Sequence, residues 1–515
     1  MMTEDQSEVI AYLSQPSTHG SETVERLETH ASMVFLVGRH ALKLKRAVKY
    51  DYLDYSSCEK RHRMCEAELR LNRRAAPALY ERLVPITQEA DGQLALAGRG
   101  PVADWLVSMQ RFDQEALFDR LATRQALPLE LMAPLGEAIG RLHQRAAPRP
   151  DHGGVDGMAR VITGNARAFQ RAEDVLDPVT TRRLIGAQQA LLARHEARLE
   201  ARREQGLVRY CHGDLHLRNI VLLDGTPTLF DAIEFNEDLA CIDVLYDLAF
   251  LLMDLWRLGL RDHANAVWNA YLWLTTDFGG MPLLPLFLSC RAAIRAKTSL
   301  ATADLATDTA QRDAARALAR RYLALAEAFL APAAPLVLAI GGVPGTGKST
   351  VARAAASSLG APPGAVVVRS DALRKWLHGV TPTTRLGPEG YTPEETRHVY
   401  GALSERCQVV AGTGYAVVAD AVLGRPEGRA AVQAAATTCG VPFRGVWLEA
   451  PLEVLTARVV ARTGDASDAD AHEVERQRRA VTPPADWPRI DASQPVERVL
   501  ADVLAHAGAC EEMTQ

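Results

Sequence analysis

The sequence is poor in the features that most often betray a protein's class. None of its eight cysteines forms a CxxC pair or falls in a histidine-rich cluster. Scattered thiols exclude a disulfide framework and a zinc site, and they fit a reducing cytoplasm. There is no positive excess; the formal net charge is −5. That balance argues against a membrane surface or a long nucleic acid as partner. No apolar run is long enough to span a bilayer. The most apolar stretch, Val244 to Leu260, is interrupted by Asp247 and Asp254 and reads as a buried helix. The opening residues, MMTEDQSEVI, are acidic and polar, unlike a signal peptide. What is present is ordinary for a soluble globular protein: 48% hydrophobic and 23% charged residues. A chain of 515 residues has room for two to four folding units.

The richest stretch is Tyr210 to Phe235, YCHGDLHLRNIVLLDGTPTLFDAIEF. Two apolar, β-branched runs, Asn219 to Leu223 and Thr226 to Phe230, flank Asp224-Gly225, a strong hairpin signal. Such a hairpin holds Asp214 and Asn219 on one side and Asp231 on the other. Transfer of a phosphoryl group from ATP needs a carboxylate to accept the hydroxyl proton. It also needs an amide and a second carboxylate to hold magnesium, a hard ion that prefers oxygen.

His212-Gly213-Asp214 with Asn219 and Asp231 resembles the aminoglycoside phosphotransferase and choline kinase branch of the protein-kinase-like fold. The resemblance implies a two-lobed domain, with Asp214 as base and Asn219 and Asp231 as magnesium ligands. It makes His212 a brace for the loop and Asp247 a buttress. Ala41-Leu42-Lys43 matches the A-x-K of kinase strands, where the lysine grips the nucleotide phosphates. The match selects Lys43, with Lys45 on the same strand face as the alternative. The helix Ser57 to Arg74 offers Glu68, or else Glu66, as the lysine's ion-pair partner, and Val107 to Arg111 would be the hinge beside adenine. One departure is that Glu28 to Phe35, where kinases carry a glycine-rich loop, holds no glycine. Residues 1 to 30 read as helical, Asp151 to Gly157 as a glycine-rich loop, and the rest to Leu330 as a helical lobe that would receive the acceptor.

Ala331 to Pro335 is a proline break. Beyond it, the apolar strand Leu336 to Ile340 runs into Gly342-Val343-Pro344-Gly345-Thr346-Gly347-Lys348-Ser349 and then an alanine-rich helix. This is a Walker A sequence in strand–loop–helix context. Backbone amides at Gly342, Gly345, Thr346, Gly347 and Thr350, and the helix N-terminus, would cradle phosphates. Lys348 would reach the β- and γ-phosphates, and Ser349 the magnesium. Strands at Ala365 to Arg369, Tyr415 to Asp420 and Phe443 to Leu448 alternate with helices, which predicts a parallel sheet with helices on both faces. This half resembles small P-loop kinases such as gluconate, shikimate and adenylylsulfate kinases, and zeta toxins. The resemblance implies acceptor contacts by Asp371 and Arg374. It implies lid arginines at Arg458 and Arg462, four apart on one helix face ahead of the loop Thr463 to Asp468. Asp420, at the end of the third strand, would be a Walker B carboxylate that holds magnesium or else an acceptor contact.

The expected organisation is therefore a mixed α/β and α+β chain: a kinase-like domain over 1–332, with lobes near 30–112 and 113–330, and a P-loop domain over 333–515. The order resembles bacterial bifunctional aminoglycoside phosphotransferase/ATP-binding proteins. The expected activity is ATP- and magnesium-dependent phosphorylation of a small hydroxylated metabolite. Two alternatives are one catalytic half with a regulatory nucleotide-binding partner, and a P-loop half acting on a nucleic-acid end or a nucleotide sugar.

Overall fold

The computed structural model describes residues 3–50, 52–462 and 465–508. The chain divides into two compact units: Met1–Asp254 with Cys290–Leu323, and Leu255–Ser289 with Ala324–Gln515. The expected single cut near residue 332 differs from this grouping, since Leu255–Ser289 clusters with the P-loop sheet.

In the first unit a six-stranded sheet runs, in spatial order, Val24–Glu28, Ser32–Val37, His40–Lys45, Val102–Gln110, Tyr80–Gln88 and Leu94–Leu96. Every pairing in it is antiparallel. The period of two along His40–Lys45 decides what each face meets. Leu42 and Leu44 join Phe35, Ile86, Leu106 and the helix Ser7–Ser14 in one core cluster. Ala41 faces the opposite way, toward Cys65 of the helix Cys58–Asn72. Lys43 and Lys45, in step with Ala41, turn toward that same helix. It starts where the Ser57 hydroxyl caps the amide of Lys60.

The hairpin Ile220–Leu223 with Thr226–Leu229 forms in the register the sequence predicts. Asp224 and Gly225 both take positive φ (+47° and +75°), as a two-residue type I′ turn requires. Three local expectations are corrected. Val24–Glu28 is a strand, although its run of Glu, Arg and Leu favours helix; it lies at the sheet edge with most residues exposed. Gly154 opens a helix, Gly154–Gln170, instead of lying in a loop. The segment proposed as the hinge, Val107 to Arg111, lies mostly inside the strand Val102–Gln110; the chain leaves the sheet at Arg111.

In the second unit all pairings of the five-stranded sheet are parallel. The order is Val366–Arg369, Val417–Asp420, Val337–Gly341, Phe443–Glu449 and Arg489–Asp491. The strand before the Walker loop is central and wholly buried, as a parallel strand covered by helices on both faces must be. Helices Lys348–Ala356 and Val496–Ala507 share a core with the strands. Helices Pro393–Gly412 and Pro426–Cys439 pack on each other and on the sheet. Val366–Arg369 is an edge, and edges must be covered or blunted. The helix Arg261–Thr275 covers it. Asn265 Nδ2 donates to the carbonyls of Pro363 and Ala365, each at 3.0 Å. Asn269 accepts the Val367 amide at 2.7 Å and donates to Ala365 at 3.2 Å.

Replacing Asn265 and Asn269 together by alanine in the full chain strips partners from these backbone groups. The expected loss is about 1–3 kcal/mol per orphaned group. Urea unfolding measures it, and an unchanged midpoint would show that the two asparagines do not hold the edge.

Candidate active sites

In the first unit, a group of buried charges gathers where the sheet, the helix Cys58–Asn72 and the segment after the hairpin meet. Lys43 Nζ donates to Glu68 Oε1 at 2.7 Å and to Asp231 Oδ1 at 2.6 Å. Lys45 Nζ donates to the other oxygen of Glu68, Oε2, at 2.6 Å. Glu68, not Glu66, is thus the residue shared by the two lysines. Glu66 stays on the exposed face near His62. Burial alone would push the Glu68 carboxyl up, but the two ammonium groups outweigh it and hold it down at about 2. Both lysines are displaced upward: burial opposes their charge, and the carboxylates around them win. The Asp231 side chain keeps 44% of its surface open to solvent, so one carboxylate faces outward from an otherwise closed cluster.

The loop carrying Asp214 is braced from behind by Asp247, which is fully buried. Its two oxygens accept the amides of His212 at 3.0 Å and Gly213 at 2.9 Å. It also takes a hydrogen bond from His143 Nε2 at 3.1 Å. His212 Nε2 donates to the Phe230 carbonyl at 2.9 Å, tying the loop to the second hairpin strand. Asn219 Nδ2 donates to the carbonyl of Asp214 at 2.9 Å and to its Oδ2 at 3.0 Å. The amide's nitrogen is thus spent on the loop, and its oxygen is the atom left for a ligand. Burial raises the Asp214 carboxyl, but His216, His212 and Arg295 outweigh it and keep it below the usual carboxylate range. His216, whose Nε2 stands 3.2 Å from Asp214 Oδ2, escaped the sequence reading although it sits two residues on.

In the second unit a cleft of about 1600 Å³ is lined by Gly345, Thr346, Gly347, Lys348, Ser349, Thr350, Asp371, Arg374, Asp420, Arg458 and Arg462. Of the candidates in this half, Gly342 alone stands outside the lining. Gly345 has φ +86°, and a Cβ there would meet the Leu455 carbonyl at 2.6 Å. At Gly347, φ +82°, the space a Cβ would enter is empty, which leaves the loop's amides open to the cleft. Lys348 Nζ donates to the Val343 carbonyl at 3.1 Å. Burial pushes its ammonium below the ordinary lysine value, against the pull of Asp420 and Asp371. Ser349 Oγ donates to Asp420 Oδ2 at 2.6 Å. Asp420 also accepts Arg369 Nε at 3.1 Å, a contact absent from the sequence reading although Arg369 immediately precedes Ser370-Asp371. Arg374 is buried; it donates to the Gly390 carbonyl at 2.7 Å and makes no salt bridge among the described residues. Its Nε has no hydrogen-bond partner.

The arginine pair is rearranged. Arg458 lies on the helix Leu452–Ala461 and donates to the Ala492 carbonyl at 2.8 Å. Arg462 lies past the end of that helix in extended backbone and donates to the carbonyls of Ser467 and Ala469. The expectation of one shared helix face is therefore corrected. Of the loop expected after them, Thr463 and Gly464 lie outside the described residues.

The family model of the phosphotransferase enzyme family matches residues 48–282, and that of the AAA domain matches residues 336–484. "Uncharacterized protein Rv2004c" of Mycobacterium tuberculosis is 30% identical over 485 residues, 92% of this chain and 93% of the relative. The chain belongs to this family. An adenylyl-sulfate kinase of Myxococcus xanthus is 31% identical over 128 residues, 25% of this chain and 64% of that protein. Among solved structures, a choline/ethanolamine kinase family protein from Mesorhizobium loti covers 62% of this chain and 98% of its own, at 17% identity and a TM-score of 0.36. A gluconokinase from Sinorhizobium meliloti covers 34% and 92%, at 23% identity and a TM-score of 0.26. The chain is a kinase, built from a phosphotransferase-family domain and a P-loop kinase-like domain. No described helix is long and apolar enough to cross a membrane.

Asp371 offers a test of the cleft's electrostatics. Burial and the neighbouring Asp420 raise its carboxyl above the ordinary value of 3.8, and Lys348 only partly offsets them. A carboxyl raised on folding binds its proton more tightly in the native state, so stability falls as pH rises through its folded value. Asp371→Asn should therefore raise Tm at pH 7, and the gain should vanish as pH drops below 3.8. A lowered Tm at pH 7 would mean that the ionised carboxylate is stabilised in the cleft.

Proposed function

We propose that each half transfers the γ-phosphoryl group of ATP to a hydroxyl of a small metabolite. The observation that carries this reading is the contact of Lys43 with both Glu68 and Asp231. It joins a strand lysine, a helix glutamate and a carboxylate 188 residues further on, the set that a kinase uses to hold its nucleotide.

The donor sets fit magnesium. Asn219 presents an amide oxygen, Asp231 a half-exposed carboxylate, and Ser349 with Asp420 a hydroxyl beside a carboxylate. Magnesium-bound ATP, once in place, supplies the phosphoryl group and the positive charge that offsets its oxygens. In the first unit, Lys43 grips the phosphates, and Glu68 keeps that ammonium charged and aimed. Asp214, held ionised by His216, His212 and Arg295 and oriented by Asn219, takes the proton of the acceptor hydroxyl. In the second unit, the amides of Gly345 to Ser349 with Lys348 hold the phosphates. Asp371 and Arg374 meet the acceptor, and Arg458 and Arg462 face the transferring group. The buried Arg374, with no carboxylate on it, favours an acceptor that carries a negative charge.

A second reading has the first unit bind nucleotide without turning it over. It is favoured by the turn between Val24–Glu28 and Ser32–Val37, which has no glycine and whose His30 packs against Tyr50 with centroids 5.9 Å apart.

Both readings meet one experiment: phosphorylation of a metabolite library by the full-length chain, followed with radiolabelled ATP. Lys348→Ala should abolish one group of products. Asp214→Asn should cut the remaining group by about 10²–10⁴, the usual cost of losing a general base. If Lys348→Ala removes every product, the first unit is not a kinase in its own right. If Asp214→Asn leaves the remaining products untouched, Asp214 is not the base.

A further inference from the structure

Lys45 is a buried cation in the first site, and a nucleotide site of the kind proposed above does not need it. Its side chain keeps 1% of its surface. An ammonium has three N–H donors, and all three are taken by buried partners: Glu68 Oε2 at 2.6 Å, the Tyr55 hydroxyl at 3.3 Å and the carboxylate of Glu234. The Tyr55 hydroxyl in turn donates to Glu234 Oε1 at 2.6 Å. Lys45 therefore has no donor left for a phosphate. Lys43, with two carboxylate partners and 13% of its side chain exposed, still has one.

Glu234 lies three residues after Asp231, and the segment between them belongs to no helix or strand. Asp231 has φ +61°, in the left-handed region where few residues other than glycine settle unaided. Its orientation is thus imposed by neighbours. The Tyr80 hydroxyl accepts the Asp231 amide at 3.1 Å, and Asn72 Oδ1 accepts the Ala232 amide at 2.8 Å. The Ile233 amide donates to the His212 carbonyl at 2.9 Å. The far end of the segment is fastened by Glu234 to Lys45. The same lysine holds the oxygen of Glu68 that Lys43 does not use.

We propose that Lys45, with Glu234 and Tyr55, is a positioning unit. It fixes the Asp231 segment and the Glu68 carboxylate against each other, so that Lys43 and Asp231 are presented together to metal-bound nucleotide. This rests on the kinase reading of the first site, and it makes Glu234 an anchor and not a metal ligand.

The test uses the full-length chain carrying Lys348→Ala, so that the second site does not contribute, and reads ATP affinity by calorimetry with and without magnesium. Groups that orient a metal's ligands typically affect affinity by 10–100-fold, and Lys45→Met should reduce the gain that magnesium gives by about that factor. Affinity for ATP without magnesium should stay within about twofold, far less than that 10–100-fold range. The double variant Lys45→Met/Glu234→Leu removes both charges of the pair, so Tm should return toward that of the parent, while the magnesium gain stays lost. This variant also carries the test if Lys45→Met alone fails to fold. An unchanged magnesium gain in Lys45→Met overturns the proposal. So does a double variant that regains the magnesium effect with its Tm, because Lys45 would then be structural only. Lys43→Met is the control: if it leaves ATP affinity unchanged both with and without magnesium, the kinase reading of the site fails, and not this refinement of it.

Discussion

The carboxylate of Glu68 is wholly out of water, and its two oxygens go to two different ammonium groups. An isolated carboxylate in that place would cost several kcal/mol and would simply take up a proton. With Lys43 and Lys45 on it, the charge is kept, and three pieces of chain are locked together: the strand His40–Lys45, the helix Cys58–Asn72 and the segment from Asp231 to Glu234. Asp247 does the same one layer deeper. It too is fully buried and ionised, and it uses its two oxygens on successive amides of the loop that holds Asp214. In this half, buried acids fix the geometry, while Asp214 and Asp231, the acids proposed to act, keep part of their side chains open to solvent.

The second half solves the same problem with backbone. The loop proposed to hold phosphates lines the cleft at the N-terminus of the helix Lys348–Ala356. Charge is balanced by side chains that reach across: Arg369 spans Asp420 and Asp465, and Ser349 donates to the same Asp420 oxygen that Arg369 uses. The cations that face the cleft, Lys348 and Arg374, lean on carbonyl oxygens and not on carboxylates. Carbonyls satisfy N–H donors without neutralising the charge, so the cleft keeps its attraction for an anion.

What could be read from the sequence was what local chemistry dictates. Asp224-Gly225 fixed the hairpin because both positions need positive φ. The Walker loop was legible because glycines, lysine and serine come at set spacing between an apolar strand and a helix. Lys43 and Lys45 could not be separated by period two, since they share a face; what separates them is Tyr55 and Glu234, brought in from elsewhere in the chain. Glu66 and Glu68 differ in which side of the helix meets the lysines, which spacing alone left open. Val24–Glu28 was missed because an exposed edge strand has no alternation to display, and Arg489–Asp491 because three residues carry no period. The grouping of Leu255–Ser289 with the P-loop sheet depends on Asn265 and Asn269 meeting backbone some hundred residues later, which no local signal encodes.

One chain with two separately built nucleotide sites should bind two nucleotides independently. Equilibrium titration of the full-length protein with magnesium and ATP tests it most directly. Two equivalents of nucleotide should bind, one after Lys43→Met, one after Lys348→Ala, and none when both are changed. A single equivalent bound by the unaltered chain, or the loss of both equivalents from either substitution alone, would contradict it.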